Sequence, residues 1–168
     1  MAASWIINSH QLGLPPIEDT NTTQLCPLGT VTRARHETYG EGEFIYMLGV
    51  ASTVVGSVVS YNATTFQTTL LPNTANLGTP VAVAMSANVA SQYGWYQIEG
   101  LAVMKKTAVT CTPQGKIYIS GTAGRIFITS TSGKQILGAK AANLTTVTST
   151  TSTLVVLIDR PHTQGQIT

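Results

Sequence analysis

The chain is short of charge. Only 10% of its residues are Asp, Glu, Lys or Arg, against about 25% in ordinary globular domains. From Phe44 to Ile98 there is no Asp, Glu, Lys, Arg or His at all. Monomeric β proteins place charge on exposed edges to block strand-to-strand association. A stretch this long without charge implies that much of its outside is covered, by another copy or by a partner. The net charge of +2 gives no field that would draw nucleic acid. Lys105-Lys106 is the one adjacent Lys/Arg pair and reads as a solvated strand end. Aromatics do not interleave with basic residues, so no stacking platform for single strands is expected.

Long apolar runs are missing too. Residues 47–59 are apolar in character but contain Gly49, Ser52, Thr53, Gly56 and Ser57. They also fall short of the roughly 20 apolar residues a membrane span needs. The N-terminus shows no basic stretch followed by an apolar one, so no signal peptide is expected. Cys26 and Cys111, the only two cysteines, are then expected as free thiols in a reducing compartment.

Site chemistry is equally scarce. Glu18-Asp19 and Glu41/Glu43 are the close acid pairs, and both sit in polar loop contexts rather than as a catalytic couple. His10, His36 and His162 share no ligand spacing with each other or with the cysteines. No nucleophile elbow or phosphate loop occurs; Gly121-Thr-Ala-Gly124 precedes a strand, not a helix. Asn21-Thr-Thr, Asn62-Ala-Thr and Asn143-Leu-Thr match the glycosylation triplet by chance in a threonine-rich chain. The expectation is a protein that is not an enzyme, with no cofactor, no metal and no small-molecule substrate.

What is abundant points to strands. Threonine is the commonest residue, and valine, alanine, glycine, serine and isoleucine are all frequent, a mixture that favours pleated strands and turns. The chain is organised around residues 81–107. Val81, Val83 and Met85 share one face of an extended segment, which turns through Ser91-Gln92-Tyr93-Gly94. The next run puts Trp95, Gln97 and Glu99 on one face and Tyr96 and Ile98 on the other. Gly94 and Gly100 bracket this run; Gly100 interrupts it, and glycine in a strand marks a bulge or a close approach of another backbone. Trp95 and Tyr96 are the largest apolar surfaces here and anchor either a core or a subunit interface.

Elsewhere, residues 1–30 read as an extended arm, rich in turn formers and proline, with Trp5, Ile6 and Ile7 as an apolar anchor for another surface. Residues 31–168 form the β domain. Short strands are expected at 31–39, 44–48, 54–61 (with Gly56 at a turn or bulge), 66–71, 117–119, 125–128, 135–143, 145–149 and 153–158, separated by Pro, Gly and Asn turns. Turn signals every 8–12 residues argue for an all-β fold, a compact β-sandwich or β-barrel of short strands with an extended N-terminal arm.

Three segments carry a likeness to a known family. They are GEFIYMLGVASTVVGSVVSY (42–61), VAVA (81–84) followed by QYGWYQIEG (92–100), and LVVLIDRP (154–161). In this order they resemble the capsid decoration (cement, or head-stabilising) proteins of tailed bacteriophages, over roughly residues 42–161. The resemblance implies an all-β domain on the outside of a capsid, assembled in the host cytoplasm, usually a trimer that clamps neighbouring capsomers. Its partners are then the major capsid protein and its own copies. Trp5, Ile6, Ile7, Trp95 and Tyr96 are the candidate capsid or subunit contacts. The alternative is a glycan- or receptor-binding module of a virion fibre or tail, using Trp95, Tyr93 and Tyr96 as an exposed platform.

Overall fold

The computed structural model describes residues 4–8 and 13–166. The described residues contain no helix; twelve strands form one large antiparallel sheet, which is compact but not a closed barrel. In chain order the strands are β1 (Ile6–Ile7), β2 (Thr20–Asn21), β3 (Val31–His36), β4 (Gly40–Leu48), β5 (Val58–Tyr61) and β6 (Thr68–Leu70). β7 (Val81–Ala84), β8 (Tyr93–Lys105), β9 (Lys116–Ile119), β10 (Ile126–Phe127), β11 (Gln135–Ala141) and β12 (Thr153–Thr163) follow. The main path runs β1-β3-β4-β8-β12-β11-β9-β10, with β2, β5, β6 and β7 attached beside it.

β8 is the hub. Its first half pairs with β4 along one edge, from Leu48↔Tyr93 to Gly42↔Gly100. Its other edge takes β2 at Tyr93 and Gly94, β7 at Tyr96 and Gln97, and β12 from Glu99 to Lys105. Gly100 does not end the strand. It adopts φ +97, and a Cβ there would lie 2.4 Å from the Glu41 carbonyl oxygen. The register against β4 slips between Glu43 and Phe44. Glycine thus lets the strand bulge and carry on into new partners, where a side chain would have broken it.

A second bulge lets β12 run past Pro161. Ala139 pairs with Ile158 and Leu137 with His162, so Asp159, Arg160 and Pro161 all lie opposite Gly138. The missing N–H of proline is harmless where the ladder is already open. Residues 145–149, expected as a strand, form only one bridge, Cys111↔Val147. Residues 54–57 are a turn, closed by Ser57 N–H to the Val54 carbonyl at 2.9 Å.

The described part of residues 1–30 does not stand away from the domain. β1 adds to the edge of β3 and β2 to β8. Trp5 and Ile17 are buried in one cluster with Ala34, Phe44, Tyr46 and Trp95. Two more clusters lie around Tyr96, Ile98 and Met47, and around Met104, Val156 and Ile119. The segment has no strand period because it contributes isolated plugs: single apolar side chains dropped onto a large aromatic surface.

Candidate interaction surface

The residues singled out in the sequence divide sharply. Trp95 and Tyr96 are fully buried, on opposite faces of β8 and in different clusters. Trp95 stacks edge-on against Tyr46 at 5.1 Å, and its Nε1–H donates to the Pro15 carbonyl at 3.0 Å. Trp5 is also buried, edge-on to Phe44 at 4.8 Å. Trp95 and Tyr96 are core residues of the single chain, not outward contacts, because the chain itself supplies the apolar surface they need, whereas Trp5 is packed on Phe44 and also lines a cavity. Ile7 is half-buried. Ile6 alone stays out, 70% exposed on β1.

Another surface takes the place of the expected one. Between Gly100 and Lys105 the strand alternates regularly. Ala102 and Met104 face Val156 and Leu154 in the core, while Leu101 pairs with Leu157 and Val103 with Val155 on the opposite face. Leu157 is 52% exposed, and Leu101, Val103 and Val155 are half-buried. Four apolar side chains thus sit in mid-sheet with solvent beyond them. Glu99 and Asp159 pair at one end of the stripe and Lys105 and Thr153 at the other. On the neighbouring strands Lys140 lies across from Leu157, and Lys116 directly across from Lys140. Like charges set opposite each other cost the isolated sheet a little stability. Among the described residues, one of the two faces of this stretch is only partly covered.

Beyond the acidic end, Glu43 is buried and bridged by two arginines, Arg33 on β3 at 2.7 Å and Arg160 in the β12 bulge. Burial acts to raise the Glu43 carboxyl, but the Arg33 hydrogen bond and the charges of Arg160 and Arg33 outweigh it and hold it below the ordinary glutamate value. Lys106 corrects the reading of a solvated basic pair: it is 1% exposed. Its ammonium donates to the carbonyls of Thr107, Val109 and Thr148 at 3.3, 2.8 and 3.0 Å. It locks the 106–109 turn to the 148 loop.

One cavity of about 360 Å³ opens beside the stripe. Leu101 and Val103 form part of its wall, and Trp5, Glu18, His36 and Tyr39 contribute from the N-terminal segment and the β3–β4 turn. No group of three or more His, Cys, Asp or Glu able to hold a metal occurs among the described residues; His10 lies outside them. Cys26 and Cys111 are free thiols, both pushed up by burial, which leaves little thiolate to react. No described helix is long and apolar enough to cross a membrane. No protein-family model matches the chain, and no curated protein matches it significantly.

Proposed function

We propose that the chain is a structural virion protein that binds the outer surface of a phage capsid as a homotrimer and cements neighbouring capsomers. The observation that carries this is the partly exposed pair of cross-strand contacts, Leu101–Leu157 and Val103–Val155, in the middle of the sheet. An apolar patch rimmed by charge marks a place where another protein sits. The absence of charge from Phe44 to Ile98 extends the same argument to the surrounding surface. The sequence resemblance in residues 42–161 is what names a capsid as the partner. On this reading no bond is made or broken: a protein that binds only the assembled lattice shifts the equilibrium towards that lattice. No nucleic acid, membrane or small-molecule substrate takes part. The glycan-binding alternative needs exposed aromatics; of its three, Trp95 and Tyr96 are buried and Tyr93 is half-buried, stacked on Tyr46.

The test compares particles stripped of the protein with particles to which it has been restored. Restored particles should rupture at higher temperature, and the free protein should sediment as a trimer. Equal rupture temperatures together with a sedimenting monomer would remove the reading.

A further inference from the structure

The geometry points to the cavity beside Leu101 as a socket for a lysine or arginine side chain of a partner protein. Met85, Leu101 and Val103 supply apolar wall. Trp5, His36 and Tyr39 form a continuous ladder of rings, with centroids 5.1 Å apart between Trp5 and His36 and 4.7 Å between His36 and Tyr39. Ring faces attract cations, and the wall accommodates a long aliphatic stem.

Two of the polar lining groups, Gln97 and Glu18, offer acceptors, and His36 contributes its ring. Gln97 spends its amide protons on the Glu99 and Leu101 carbonyls, at 3.0 and 3.1 Å, so its remaining polar atom is an acceptor oxygen. His36 Nδ1 accepts the backbone N–H groups of Thr38 and Tyr39 at 3.0 and 3.3 Å, which places the ring proton on Nε2. Glu18 brings the only formal charge among the lining residues, and no lysine or arginine lines the cavity. Its Oε2 accepts the Ser4 hydroxyl at 3.0 Å. The ion pairs found among the described residues both belong to Glu43, not to Glu18.

A cavity of about 360 Å³ falls within the range that holds a small ligand. It combines a carboxylate without a cation, stacked rings and an apolar shaft. A neutral aliphatic group would leave Glu18 unused, and an anion would meet it head-on. A cationic head on a flexible apolar stem uses every part. Because Leu101 and Val103 belong both to this wall and to the exposed stripe, a partner lying on the stripe can insert such a side chain at the same time.

The test uses the full chain and three probes of matched length: n-butylguanidinium, n-butylammonium and 1-butanol. Binding is followed by the NMR shifts of the Trp5 indole N–H and the Met85 methyl. Both cations should shift these signals saturably, and 1-butanol should bind more weakly. Glu18→Gln should lower cation affinity roughly five-fold, the effect of losing an exposed ion pair, while leaving the 1-butanol affinity unchanged. Tyr39→Leu should reduce the preference for cations over the alcohol. Equal affinity for all three probes, no shift at Trp5 and Met85 up to the solubility limit, or unchanged cation binding in Glu18→Gln each overturns the assignment. The outcome is independent of capsid binding, so failure of one proposal is separable from failure of the other.

Discussion

The indole N–H of Trp95 donates to the carbonyl of Pro15, 80 positions earlier in the chain. That bond joins the centre of the hub strand to the segment that covers it. Both partners are buried, so neither finds water if the other is lost.

Removal of residues 1–30 should therefore destabilise the domain rather than merely unload it. Trp95, Phe44 and Tyr46 would face solvent, and β3 and β8 would lose their added strands. The finer probe is Trp95→Phe, which keeps an aromatic but orphans the Pro15 carbonyl and leaves a void; a loss of about 2 kcal/mol is expected. Urea unfolding of both variants checks this. A truncated chain with an unchanged midpoint would show that the segment is only an accessory.

Lys106 gives a second case of a charge that holds structure. Replacing it by Met keeps the buried stem but removes three charge-assisted hydrogen bonds at once, leaving the carbonyls only their second donors, the Val109 and Thr151 N–H groups and the Cys111 thiol. The expected cost is about 3 kcal/mol. Lys105→Met, next to it and half-buried, should change stability by less than about 1 kcal/mol. Similar losses for the two would mean that the carbonyl cage does not matter.

Strand positions were largely legible in the sequence, and connections were not. The alternation of Trp95 with Tyr96 assigns them to opposite faces, as they are. The turn at Asn62 is equally readable, its Oδ1 accepting the N–H groups of Thr64 and Thr65. Gly100 was readable as a bulge or a close backbone approach, and it is both, although the partners that the strand takes up beyond it were not readable. Residues 145–149 have strand composition but a neighbour at only one position. Trp5 gave no hint of its location because its partners, Phe44 and His36, are brought to it by pairing rather than by proximity in the chain. The exposed stripe was invisible for the same reason: apolar alternation says which residues share a face, not whether that face is covered.

Gly100 also makes a sharp backbone prediction. Its φ of +97 disfavours any L side chain, and a Cβ would collide with the Glu41 carbonyl at 2.4 Å. Gly100→Ala should cost more than about 2 kcal/mol. Gly121→Ala, where a Cβ meets nothing within 4 Å, should fall within about 0.5 kcal/mol of the parent. Thermal melts of the two variants decide it.

The Glu43 cluster predicts acid sensitivity. Its carboxyl lies below the ordinary glutamate value in the folded chain, so its contribution is fully present above the unfolded value of about 4.3. That contribution fades as pH falls through the lower folded value. Both arginines are mostly exposed, at 67% and 61%, so the effect should be no more than about 1 kcal/mol and should shrink in salt. The stability gap between the parent and Glu43→Gln should be widest near neutral pH and close below pH 4. A gap independent of pH would assign the role of Glu43 to packing alone.

The exposed stripe yields the prediction closest to function. Leu157 is 52% exposed, so its substitution removes little buried surface. Leu157→Glu places a carboxylate across the strand from Lys140, where opposite charges are mildly favourable. The fold should be unaffected, with a thermal midpoint equal to the parent's. A partner covering the stripe, however, would have to bury that carboxylate against Leu101 and Val155, and taking it out of water is costly even beside Lys140. Binding to the partner surface should fall at least about ten-fold, equivalent to ~1.4 kcal/mol. Co-sedimentation of the variant with stripped particles measures it. Undiminished binding by a folded Leu157→Glu protein would show that the stripe faces solvent in the assembly, and that the contact has to be sought elsewhere, beginning with Ile6 on β1.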